Sequence, residues 1–476
     1  MPAKPQVQGG VAAMSISDRH VKWTCLVLAC AAVLASVCGL PLIWDGAYQF
    51  VLTLRDQHPF FYLTRFHTAL LWWPCVWVSR FTENLTVLML AYGLPFLAAP
   101  AVSLWISWRI VRRHRPELAV WAAFGVTAAA LPGQVFVIND SIWQQTLFWP
   151  LFLAMFVPLS RAGKCAVALL AIFQLVHQVG VLLLALALLA AMVSAKIQPH
   201  RRRELRWQIA MAGVFLFLAV AKTAWISIPG WAGAMFDSYA AQQATWHEAV
   251  RMLSHSSGAL PGLALMWGAA GVIVFRGRAR WLVVLIGLGA AMWTAWAVQP
   301  RIWVGAIDYR RWVVPFALPF YACAFFEAVR PRILSQPWRG RVCLALAAVY
   351  AFVLGIQSLE WRREVRHLMT AVQKSAQPLV TPADAPWMRG TPLDHWGATA
   401  LVMATEGKTP RHYFAYDEAC RAALLADPPQ IALWSLHHVP PDPGRAGYYD
   451  YRPLLQQLKN ERESKHPIAE GERPRL

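Results

Sequence analysis

Residues 165–195 read CAVALLAIFQLVHQVGVLLLALALLAAMVSA, thirty-one residues without Asp, Glu, Lys or Arg. Arg161 and Lys164 precede the run, and Lys196 and the basic cluster Arg201 to Arg206 follow it. Basic loops of a membrane protein collect on one side of the bilayer, so a single crossing here would leave one of these two clusters on the wrong side. Two shorter helices meeting near Val176-His177-Gln178-Val179-Gly180 keep both clusters together and put His177 at the turning point. At a rise of 1.5 Å per residue the first piece, 165–176, covers about 18 Å of a hydrocarbon core of about 30 Å, which recesses the tip. Irregular backbone at that depth survives only inside protein or beside a water-filled cavity. The competing reading is one long tilted helix in which the charge rule fails.

The same logic extends in both directions. Hydrophobic residues make up 57% of the 476-residue chain and charged residues 14%, too apolar for a water-soluble protein of this length. Runs long enough to span a bilayer recur at 23–44, 85–108, 118–138, 142–160, 207–228, 259–275, 281–298, 312–329 and 342–358. With the pair at 165–195 this predicts an all-α polytopic membrane protein of about eleven transmembrane or half-spanning helices. The 25 Trp suit the two membrane–water interfaces.

A net charge of +19 invites a nucleic-acid reading, and its distribution removes the need for one. The N-terminal tail and alternate loops hold 21 Lys and Arg, and the intervening loops hold seven. That asymmetry predicts a cytoplasmic N-terminal tail over 1–22 and an opposite location for everything after about Trp361. No nucleic-acid partner is expected.

The predicted organisation is a transmembrane domain over 23–360 with a long first outer loop at 45–84. A Trp-rich patch at His67 to Val78 within that loop is too short to span and reads as a helix lying in the interface. Residues 361–460, with near-balanced charge, read as a small C-terminal α/β domain outside the membrane, and 461–476 as a charged, disordered tail. The eight Cys have no metal-ligand or CxxC spacing and read as small core residues.

Several polar residues are candidates for chemistry. Asp45 follows the first span directly and suits a general base that accepts a proton from an acceptor hydroxyl. Asp140 occupies the short outer turn Asn139-Asp140-Ser141. Arg65, Lys222, Arg301 and Arg310 offer cations for a phosphate, with Tyr48, His58 and His177 nearby in the outer loops. For each exposed charge, solvation or helix-end anchoring is the plainer reading. No phosphate-cradling Gly loop of the P-loop type is present, so nucleotide hydrolysis is not expected.

This layout resembles the GT-C superfamily of integral-membrane glycosyltransferases. The likeness rests on Asp45 after the first span, the long first loop, Asn139-Asp140, the paired short helices at His177-Gln178, Asp308-Tyr309-Arg310-Arg311, and an outer C-terminal domain. Asp45 is followed by Gly46, where many such enzymes carry Asp-Glu or a modified D-x-D. The resemblance implies inverting transfer from a polyprenyl-phosphate-sugar donor to a glycan, lipid or protein acceptor on the periplasmic face of a bacterial inner membrane. Asp45 would then be the base, and Arg65, Lys222, Arg301 or Arg310 would neutralise the leaving phosphate. Asp140 either orients the acceptor or holds a divalent metal; no motif calls for a cofactor. Two other classes stay open: a transporter or flippase of a lipid-linked or anionic solute, and a non-catalytic envelope scaffold.

Overall fold

A computed structural model describes residues 18–43, 45–59, 67–127, 140–227, 313–329, 339–388, 391, 393, 397–416, 418–425 and 447–465. The expected spans at 259–275 and 281–298 and the loop 299–311 lie outside the described residues.

The chain is a predominantly helical, membrane-associated protein. Among the described residues five helices are long and apolar enough to cross a membrane: Asp18–Val37, Leu85–Val111, Val179–Ile197, Arg202–Trp225 and Arg339–Lys374. In chain order the membrane part contains α1 (Asp18–Val37), α2 (Asp45–Asp56), α3 (His67–Val78), α4 (Leu85–Leu97), α5 (Ala99–Val111) and α6 (Ala119–Thr127). It continues with α7 (Asp140–Ala154), α8 (Arg161–Phe173), α9 (Val179–Ile197), α10 (Arg202–Ser227), α11 (Val313–Val329) and α12 (Arg339–Lys374).

Side-chain contacts fix two ends of the bundle. At the first end the Trp108 indole donates to Asp18, Arg115 donates to the carbonyls of Glu327 and Ala328, and Gly340 abuts His20. Arg201 donates to Phe156 O there. At the second end the Trp361 indole donates to Gly39 O. Hence α1 and α12 run parallel, from the first end to the second. Pro95 and Pro100 flank Ala98, where the α4–α5 rod is interrupted, and neither can donate to the helical ladder. Close approach of α6 to α7 depends on Gly125, where any Cβ would overlap the Trp149 indole.

Two elements depart from the sequence expectation. The α3 helix has the twelve residues expected, but it does not lie across the top of the bundle. Its Cys75 thiol approaches Leu88 O, while Trp72 meets Tyr92 at 5.8 Å and Phe96 at 6.0 Å, so α3 runs antiparallel down α4. Apolar residues all round α3 explain this: Trp72 and Cys75 bury against α4 while Leu70, Trp73 and Trp77 stay exposed on the other side. The second departure is α12, which continues unbroken for 36 residues, about 54 Å, through the expected boundary at 361. Composition turns polar there, yet Trp361-Arg362-Arg363-Glu364-Val365-Arg366 contains no residue that stops a helix.

Beyond α12, strands β1 (Leu379–Val380) and β2 (Tyr413–Phe414) pair in parallel, with helices α13 (Ala398–Glu406), α14 (Glu418–Leu425) and α15 (Arg452–Lys465) around them. Among the described residues this region is mainly helical, and its strands are two residues long. Helix α15 extends to Lys465, so the segment read as a tail from 461 begins as helix.

Candidate functional site

The run at 165–195 is divided in two. Helix α8 stops at Phe173 and α9 starts at Val179, with turns between them. The start of α7 meets the end of α8, since Gln144 lies against Gln174, while Arg201 after α9 reaches Phe156 after α7. Thus α8 runs towards the second end and α9 returns, both packed on α7. The second piece is longer than expected, a full nineteen-residue span.

A break of this kind must satisfy its own carbonyls, because lipid supplies no donors. Two side chains do so. The Gln144 amide of α7 donates to Gln174 O at 2.5 Å and to His177 O at 3.4 Å. The Lys222 ammonium of α10 donates to Leu175 O at 2.5 Å and to Val176 O at 3.2 Å. Every carbonyl from 174 to 177 therefore has a donor from another helix. Gly180 lets α9 begin so close by, since a Cβ there would overlap Gln174 O. The backbone N–H of Val179 donates to His177 Nδ1 at 3.3 Å.

Asp140 is the acidic residue nearest this break. The sequence places it in a solvated turn, whereas it lies in the first turn of α7 and is only 9% exposed. Asn-Asp-Ser is typical helix-starting sequence, and an N-terminal carboxylate is favoured by the helix dipole. One turn later on the same face comes Gln144. Gln145 is equally buried and its amide lies 3.5 Å from the Tyr321 hydroxyl. The amide oxygens of Gln144, Gln145 and Gln174 are buried without a donor, so this level of the bundle is rich in acceptors.

The other half of the expected site is built around α2. Asp45 opens that helix, and its side chain is outside the described part. The head of α2 is held by the Tyr92 hydroxyl, which donates to Gly46 O at 2.9 Å, and by Pro41 O, which leaves no room for a Cβ on Gly46. Its other end carries the C-terminal unit: Tyr448 N donates to Leu54 O at 3.2 Å, and Gly447, at φ +52°, sits against Arg55 O. Lys408 pairs with Glu83 at 2.7 Å beside this contact. Burial alone would lower the Arg55 pKa, but its hydrogen bond to Asp56 and that residue's charge, with Tyr451 and Tyr48 adding, hold it above its ordinary value.

The structure thus brings Asp140, His177 and Lys222 to one neighbourhood of the bundle, around the α8–α9 break. Asp45 and Tyr48 belong to a second neighbourhood, where α2 packs on α3 and α13. The α5 helix packs on both α1 and α7. His58 is exposed, with its Nδ1 3.0 Å from Pro59 O, and touches neither group. Arg65, Arg301 and Arg310 lie outside the described residues. Among the described residues no group of three or more His, Cys, Asp or Glu could hold a metal. Sequence reading missed Gln144, Gln174 and Gly180. Their one signal was an amide or glycine inside an apolar run. The chain matches no protein-family model, no curated protein and no solved structure.

Proposed function

We propose that the chain is a membrane glycosyltransferase that moves a sugar from a polyprenyl-phosphate donor to an acceptor at the second end of the bundle. The observation that carries this reading is Asp140, a carboxylate almost removed from water, one turn from the amide that holds the His177 break. Ionisable groups inside a membrane bundle are costly to keep and are found where they are used. Asp45, which opens a helix held at its head by Tyr92 and Pro41, is the second carboxylate of this reading and serves as the base. In this reading the N-terminus is cytoplasmic, the second end with its C-terminal unit is periplasmic, and the membrane is a bacterial inner membrane. The eleven-span count and the inverting course belong to the same proposal.

The test is transfer of labelled sugar from a polyprenyl-phosphate-hexose by the full chain in proteoliposomes. Asp45→Asn and Asp140→Asn should each abolish turnover while folding and insertion stay intact. Full activity in both variants removes the two carboxylates from the mechanism. The helix break with a half-buried lysine also suits a transporter. Against that reading, the carbonyls a coordinated ion would use already bind Gln144 and Lys222. Substrate-dependent flux without transfer would favour it.

A further inference from the structure

We infer that Lys222 and Gln144 are positioning residues: together they hold the four carbonyls of the α8–α9 break and so present the His177 imidazole in one tautomer. This assigns Lys222 a role different from the phosphate partner that its charge suggests, and it rests on the proposed glycosyltransferase only for its kinetic arm.

The argument starts from the carbonyls. Helix α8 ends without Pro or Gly at its C-terminus, in Phe173-Gln174-Leu175-Val176-His177, so nothing local dictates the stop. Local turns close part of the break, with Gly180 N donating to His177 O at 2.9 Å, and the outside donors supply what those turns leave open at the carbonyls of 174, 175 and 176. The ammonium sits at the carboxyl end of α8, where the helix dipole favours a cation, and it donates to two adjacent carbonyls. The Gln144 amide brackets them, bonding the first and last of the four. With those carbonyls held, Val179 N is directed at His177 Nδ1. A ring nitrogen that accepts a backbone N–H cannot carry a proton itself, so the neutral ring carries its proton on Nε2 and offers that nitrogen as a donor. Releasing either clamp frees the turn, and Nδ1 loses its fixed partner.

The experiment uses the full chain in lipid nanodiscs with 15N-labelled histidine, and His177→Asn identifies the resonance. The wild type should show His177 with unprotonated Nδ1 and protonated Nε2. Lys222→Met should convert this into a mixture of tautomers, and Lys222→Arg, which keeps a cationic donor, should restore the single form. Gln144→Met provides the same test should Lys222→Met fail to fold. A wild-type His177 signal in folded Lys222→Met and Gln144→Met overturns the inference. On turnover of a polyprenyl-phosphate-hexose, Lys222→Met should lower kcat by about 100-fold with KM for the donor unchanged, as expected of a mispositioned group. A raised KM with unchanged kcat would return Lys222 to the phosphate and refute the positioning role. Absence of transfer by the wild type would reject the glycosyltransferase reading and leave the tautomer result standing.

Discussion

At the first end of the bundle, Arg339 and Glu327 form an ion pair that is 1% and 2% exposed, with Arg339 Nη2 at 2.5 Å from Glu327 Oε1. Glu327 also accepts the Trp121 indole at 2.5 Å, and Arg339 donates to Glu117 O at 3.1 Å. Glu327→Leu would strand the guanidinium at a cost of about 3–5 kcal/mol and leave the Trp121 N–H without its acceptor, about 1–3 kcal/mol more. Arg339→Met would strand the carboxylate at a similar cost. Removing both leaves no buried charge, so the double variant should be no less stable than the milder single, a coupling of at least about 3 kcal/mol. The assay is equilibrium unfolding of the full chain in mixed micelles, followed by tryptophan fluorescence, as a double-mutant cycle. Two single losses below about 1 kcal/mol, or a double loss equal to their sum, would refute the reasoning, because either outcome means that water reaches the pair.

Three further outcomes follow from the second end. Gly447→Ala combines a left-handed backbone with an overlap on Arg55 O, so the C-terminal unit should lift from α2, and hydrogen exchange of α13 and of 447–451 should rise while that of α1 does not. Gly180→Ala should push α9 away from Gln174 O and destabilise the α8–α9 break, seen as faster exchange at 174–180; unchanged protection there would discount the close approach. Burial, helped by neighbouring Tyr451, Tyr448 and Cys75, pushes the Tyr449 phenol well above its usual value of about 10. Since the folded pKa is raised, the stabilisation is complete below about 10 and is lost as pH climbs towards the folded value. Tyr449→Phe should therefore leave Tm unchanged or higher at neutral pH, the hydroxyl being buried without a partner, and should weaken the alkaline loss of docking measured by tyrosinate absorbance.

How far the sequence could be read depended on whether the deciding interaction was local. Apolar runs show directly as α1, α9 and α10, because spanning length and composition need no tertiary partner. The break at 174–178 was legible only through charge, since Arg161, Lys164 and the 196–206 cluster constrain topology across the whole run. Its boundaries were not legible, because the donors that hold it come from residues thirty and nearly fifty positions away. Burial of Asp140 was hidden for the same reason: Asn-Asp-Ser looks like a solvated turn until the helix that follows is packed on α5 and α8. The boundary at 361 misled in the opposite way, as polarity changed while helix propensity did not, and α12 ran on. An amide or ammonium inside an apolar run is thus informative in a way that a charged loop is not. Gln144 and Lys222 each imply carbonyls elsewhere that have lost their helical partners, and pairing such donors with an apolar run too long for one crossing locates a break that local propensity cannot show.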